Sequence, residues 1–218
     1  TGTDVPRNKV IGKIAPRGGI ATVEALALNL AMAGGRPEYL PVLIAAIEAL
    51  TEPGFRLGHM NPTTNSLYPA VIVNGPIAKQ IRLNSSYGIL GPDPLHPAGG
   101  LIGRAIRLIL INGGGCVPGT GTMAIFGGMR YTNAIFAEDE EGLPPDWKSL
   151  CVERGFPKGS NVVTALPVSS ASNIHISVTD ATISEEAIRQ YLSRIAGYMG
   201  APSGNAFTGS HSCPDYAS

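Results

Sequence analysis

The chain has 218 residues, 44% of them hydrophobic, which is enough to bury a core, and only 15% charged against roughly 25% in an ordinary domain. Lys+Arg and Asp+Glu number 16 each, and no basic run or stripe with interleaved aromatics is present, so a nucleic-acid partner is not expected. No apolar window approaches the ~18 residues of a transmembrane helix, so no membrane partner is expected either; the thin charge reads instead as a surface covered by another subunit.

Residues 1–20 read as an extended arm, with Pro6, Pro16, Gly18 and Gly19. It has no apolar signal-peptide core, and the missing initial Met suggests an upstream piece that has been removed. Thr22 is placed to cap a buried helix running to Ala33, with Glu24 in its first turn and Gly34-Gly35 ending it. Pro37 then opens a second helix to Leu50, and the two make an αα-hairpin. Ala70–Val73 is an apolar, β-branched run feeding the turn Asn74-Gly75-Pro76, which predicts a buried strand.

A long loop spans Asn84 to Gly100, and a loop of that length in a compact domain is usually functional or disordered. Leu101–Ile111 is a third apolar helix, carrying Arg104 and Arg107 and ended by Asn112 and three glycines. Strands are expected at Thr132–Ala137, Val162–Leu166 and Ile174–Val178, and a last helix from the capping box at Ser184 to about Met199. The polar tail from Gly200 reads as mobile. The expected fold is α/β or α+β: one domain over residues 21–199, with helices around a small mixed sheet and long Gly/Pro-rich loops.

Several segments, taken together and in order, resemble a known family: Met32–Tyr39, Val71–Pro76, Ile102–Leu108, Pro118-Gly119 and Val152–Phe156. They are similar to the larger domain of the UGSC-motif proteins, some of which are selenoproteins, over roughly Thr22 to Thr164. The segment that names the family, a Cys or selenocysteine followed by Gly-Ser-Cys, is absent from this chain. The resemblance therefore implies that a partner chain supplies it or that it is missing. It also implies a lost thiol at Gly35, a position often occupied by Cys in relatives. The acidic run Glu138–Glu141 corresponds to a similar stretch in the family.

Each candidate for chemistry has a plainer structural reading beside it. Arg36, oriented by Glu38, could grip a substrate carboxylate, or the two could be a helix-start ion pair. Asn74 at the carboxyl end of a strand is well placed for a ligand crevice, though Asn-Gly is also a common turn. Glu138 and Glu140 lie on one face of an extended segment, where paired carboxylates can act as general acid and base or hold a hard cation; a solvated acidic turn is the alternative. Cys116, in a glycine-rich loop, is either a nucleophile or a small apolar filler.

Cys151 reads as structural, and Cys213 as a weaker candidate still. His59 and His96 are loop histidines with the reach for acid–base work, or are simply exposed. Asn84, opening the long loop, is placed with Arg36, Asn74 and Arg104 among substrate-binding residues. Arg104 and Arg107 share a helix face and need a partner, which could be a carboxylate of the chain or a substrate anion.

The scattered histidines and widely spaced cysteines make no zinc pattern, and the glycine runs make neither a phosphate-binding loop nor a dinucleotide fingerprint, so no metal and no cofactor is expected. An odd number of cysteines, 3, points to a reducing compartment, read as the cytoplasm. The functional expectation is an enzyme subunit acting on a small molecule, in a hetero-oligomer whose UGSC-type partner brings a thiol or selenol to a shared site. A lyase or hydratase using the carboxylates and a His is one alternative, and a non-catalytic structural subunit is another.

Overall fold

The computed structural model describes residues 2–88, 93–123, 125, 127–168 and 185–200. The chain divides into two units, Thr1–Pro167 and Val168–Ser218. In the second unit the described part is one helix, α7, Glu185–Gly200. The strand expected at 174–178, the capping box at Ser184, the tail and Cys213 lie outside the described residues.

The first unit opens with a correction. The expected arm is an antiparallel hairpin of β1 (Val10–Ile14) and β2 (Gly19–Thr22), and Ile14 is fully buried. α1 (Val23–Met32) starts where the sequence places it: Thr22 Oγ1 accepts from the Ala25 N–H at 3.2 Å. It ends on Gly34, whose φ of +82° is a left-handed stop, with the Gly35 N–H donating to the Leu30 carbonyl at 2.8 Å. The second helix begins with a 3-10 turn at Pro37–Tyr39 and continues as α2 (Leu40–Thr51).

After a 3-10 turn (Pro53–Phe55) and the short α3 (Leu57–Met60), β3 (Tyr68–Asn74) enters the core with all but one residue buried. α4 (Pro76–Gln80) follows at once. α5 (Ala98–Asn112) starts three residues earlier than the apolar run suggested, so the expected 84–100 loop is shorter, and its residues 89–92 lie outside the described ones. β4 (Ala134–Ala137), α6 (Leu150–Glu153) and β5 (Val162–Val168) complete the unit.

The sheet order is β4-β3-β5, with β3 and β4 parallel and in register from Ala70↔Ala134 to Val73↔Ala137. With the separate β1-β2 hairpin this is an α+β architecture. Parallel neighbours need a crossover, which α4 and α5 supply. The core lies between α1, α2 and α5 and the sheet: Leu26, Leu43, Ile47, Leu50, Val71, Val73, Ile102 and Ile106 are all fully buried. Each such side chain contributes about 1.5–3 kcal/mol relative to leaving it in water. Gly99 and Gly103 let α5 close onto β4, since a Cβ at Gly103 would sit 1.9 Å from the Thr132 carbonyl oxygen and one at Gly99 2.4 Å from that of Ile135. α5 therefore runs against β4, its N-terminal turn toward the carboxyl end of the strand. Among the described residues no helix is long and apolar enough to cross a membrane.

Candidate functional site

Parallel pairing puts two strand ends side by side, and the candidate site is built there. β3 ends on Asn74 and β4 on Ala137, so the side chain after β4 is Glu138, whose N–H still donates to the Val73 carbonyl at 3.1 Å. Asn74 is completely buried. Its Nδ2 donates to Glu138 Oε2 at 2.5 Å and to Glu140 Oε1 at 3.1 Å. The Gly75 N–H donates to the same Glu140 oxygen at 2.7 Å, and the Leu150 N–H, in the first turn of α6, to Glu138 Oε2 at 2.9 Å.

Each carboxylate is thus anchored through one oxygen by neutral donors. The second oxygen of each accepts no hydrogen bond from the described residues and is not sealed from solvent. Asn74 Oδ1 is buried without a partner.

This pair stands on the wall of a cleft of about 620 Å3, lined also by Gly75, Lys79, Ser85 and Lys158. Gly75 has φ +90°, and a Cβ there would meet the Ser160 carbonyl oxygen at 2.4 Å, so only glycine lets the 159–161 segment close against the strand end. Asn161 Oδ1 accepts from the Ile77 N–H at 2.9 Å, holding that segment to the start of α4. Around the rim Lys79 pairs with Glu141, and Ser86 Oγ donates to Asp139 Oδ2 at 2.7 Å. Lys158 makes no ion pair among the described residues. Pairing two lysines against four acidic residues leaves the cleft net negative.

Other candidates are elsewhere. Asn84 is buried behind the cleft: its Nδ2 donates to the Gly88 carbonyl at 3.0 Å, and its own carbonyl accepts from the Ala137 N–H at 2.8 Å, next to Glu138. That position supports the site rather than facing a ligand. Arg36 forms a loose surface pair with Glu38 at 3.9 Å, with both side chains more than half exposed, the plainer of its two readings. His59 is exposed on α3. His96 Nδ1 lies 2.7 Å from Asp93 Oδ2 in a turn that the Leu95 N–H closes on Asp93 Oδ1. That hydrogen bond from His96, with those of the backbone, holds the Asp93 carboxyl below its usual range. None of Arg36, Asn84, His59 or His96 lines the cleft.

Cys116 is 0% exposed, and burial pushes its thiol up, with Arg107 and Arg130 opposing only in part. Burial and a thiol pushed up by it fit the small apolar filler of its two readings. Cys151 is buried too, with Sγ 3.3 Å from Ser149 Oγ. A Cβ at Gly35 would run into Leu30 Cδ1 at 2.2 Å, so a cysteine there would have to displace that leucine.

Arg104 is also removed from the cleft. Its guanidinium lies over the Tyr131 ring, 4.4 Å from the centroid, at the amino end of β4. The 4 residues of β4, roughly 13 Å of strand, separate that end from Glu138. The Arg36–Asn74–Arg104–Glu138 pocket expected from sequence is therefore not one pocket: Asn74, Glu138 and Glu140 converge, and both arginines stand apart.

The residue that sequence reasoning missed is Arg130, 6% exposed, which donates to the carbonyls of Asn61 (3.0 Å), Met60 (2.8 Å), Asn65 (3.2 Å) and Leu67 and to Thr122 Oγ1. No local sequence signal singles it out, because Arg104 and Arg107 share the same stretch without acidic residues. Lys79, Lys158 and Asn161 were also missed, each an ordinary surface type until the strand ends meet. Among the described residues no group of three or more His, Cys, Asp or Glu is placed to hold a metal ion.

No family model matches the chain, and neither a curated protein nor a solved structure matches it.

Proposed function

We propose that the cleft binds a small organic molecule and that Glu138 and Glu140 move protons on it, in chemistry of the lyase or hydratase type. The observation that carries this reading is the shared Asn74 amide, which fixes one oxygen of each of two carboxylates that line the same cleft. In a dehydration one carboxylate takes a proton from carbon while the protonated other delivers one to the departing hydroxyl, which leaves as water; both charges and atoms balance. Position at the carboxyl end of parallel strands supports the reading, since that is where open sheets containing such strands hold ligands.

The test is a panel of neutral and cationic β-hydroxy carbonyl compounds and their unsaturated counterparts, chosen because the cleft is net negative, in D2O, followed by proton NMR for dehydration or deuterium uptake at carbon. Activity on some member of the panel is expected, with Glu138→Gln and Glu140→Gln each slower by ~10²-fold or more while remaining folded. Turnover that survives both substitutions would refute the assignment.

A second reading keeps this cleft but makes it half of a shared site, with a UGSC-type partner bringing the thiol or selenol. It is supported by an apolar surface on α1 and β2, where Ile20, Leu28 and Met32 are 60%, 61% and 62% exposed. It is supported also by the burial of Cys116 and Cys151, which keeps both described thiols away from the cleft. Free buried thiols fit a reducing compartment, and we place the protein in the cytoplasm. Native mass of the purified protein, with each component identified by intact mass, decides between a lone chain and that complex.

A further inference from the structure

From Pro94 to Ala137 the chain carries Arg104, Arg107 and Arg130 and no Asp or Glu. Arg130 spends its donors on five oxygens. Arg104 and Arg107 do not. Arg107 is 7% exposed, yet among the described residues its one hydrogen bond runs from Nη2 to the Cys116 carbonyl at 3.1 Å, and its Nε is buried with no partner among them. Arg104 rests on Tyr131, and its Nη1 is likewise buried and unpartnered. Neither makes an ion pair with any described residue.

Two arginines three apart on a helix have Cβ atoms ~5–6 Å from each other, so the two charges repel. Arg104 indeed acts with burial to lower the Arg107 pKa, yet a guanidinium does not give up its proton at neutral pH. A buried cation without a counterion is strongly unfavourable, and it normally persists only when something pairs with it. The segment around these two supplies no carboxylate. Tyr131, 65% exposed, covers one face of Arg104 and leaves this end of β4 open to solution.

We propose that Arg104 and Arg107, with Tyr131 as the platform for Arg104, form an anion site separate from the acidic cleft, for a carboxylate or phosphate group that the planar guanidinium forks would grip in pairs. The ligand supplies the negative charge that the chain withholds over this stretch.

The experiment is a thermal-shift titration of the full chain with sodium phosphate in one arm and sodium acetate in the other, each matched to sodium chloride at equal ionic strength. The expected result is a rise of about 3–6 °C at tenfold excess over the dissociation constant of the better anion. The arm that responds more names the class. Arg104→Gln should weaken that anion ~10-fold or more, and Arg36→Gln, on the distant surface, should not change it. Arg107→Gln is expected to do the same, but because that side chain is buried, the partly exposed Arg104 keeps the test valid if the variant does not fold. No response to either anion, a response that Arg104→Gln leaves intact, or one that Arg36→Gln removes equally would overturn the site as an adventitious ion only. The cleft variants Glu138→Gln and Glu140→Gln should leave the anion response in place, so failure here and failure of the proton-transfer reading are told apart.

Discussion

Arg130→Met is the perturbation whose consequence can be worked most fully. Methionine keeps much of the volume and removes all five donors. Four main-chain carbonyls between Met60 and Leu67 lose this partner together, and the Thr122 hydroxyl loses one of its contacts. Each stranded buried acceptor costs about 1–3 kcal/mol, but the costs do not add. Some carbonyls will recruit water. In addition, burial pulls the guanidinium pKa down to about 10, with Arg107 adding to the effect, so deleting the charge returns part of a desolvation cost. The net loss expected is ~3–5 kcal/mol, a large share of the ~5–15 kcal/mol that holds a domain together. For a chain of this length that is a fall in Tm of ~10 °C or more. Urea unfolding followed by circular dichroism measures it, and an unchanged m-value shows that the folded and unfolded states themselves are unaltered. Arg130→Lys, with one ammonium in place of a five-donor fork, should recover less than half. A loss below ~1 kcal/mol for the methionine variant, or full recovery with lysine, would refute the view that this side chain pins the 60–67 segment to the turn before β4.

Four further outcomes follow from the structure. Cys116 and Cys151 should stay unreactive toward a disulfide reagent in the native protein and react on unfolding. Because the folded Cys116 pKa is raised above its ordinary 9.0, the unfolded chain ionises first; the stability this gives is full below about pH 9 and lost as pH rises through the folded value, a slope that Cys116→Ala should flatten. Asp93 is depressed, so its carboxylate should titrate below 3.8 by carbon NMR, with any stability it gives present above that value and lost as pH falls through the folded pKa; His96→Asn should move it back up, and no movement would dismiss the pair. Gly103→Ala should cost about 1–3 kcal/mol in thermal unfolding, because its Cβ meets main chain at Thr132 rather than a yielding side chain, and a neutral effect would contradict the packing of α5 on β4.

The helices were legible because local chemistry marks their ends: Thr22 bonds the Ala25 N–H, Gly34 takes the left-handed angle, and the apolar runs between and after them are long. The β1-β2 hairpin was not, since its strands are 5 and 4 residues and its prolines and glycines read as irregular chain. Asn74 stood out as a residue at a strand end, and Glu138 and Glu140 as same-face neighbours, but separately. What joins them is the parallel register Val73↔Ala137, set across a long crossover by packing that no local pattern encodes. The same distance effect misplaced Arg104. Sharing a chemistry with Asn74 and Glu138 says nothing about sharing an end of a strand.

Net charge shows how such a sum can mislead. Sixteen positive against sixteen negative side chains excludes a long-range field but not a local one. β4 divides two opposite environments: before it lies a stretch with three arginines and no acidic residue, and directly after it come Glu138, Asp139, Glu140 and Glu141. Each excess is partly desolvated, so water screens it less than it would a free surface charge. Neither excess can cancel the other across the length of the strand, because Glu138 and Glu140 are tied to Asn74 and Gly75, and Arg107 to the Cys116 carbonyl. A chain in which stability alone were at stake would gain by moving one acidic residue across β4 to meet Arg107. On the two proposals above, keeping the charges apart reserves the acidic end for a polar group that gives or takes a proton and the arginine end for an oxyanion.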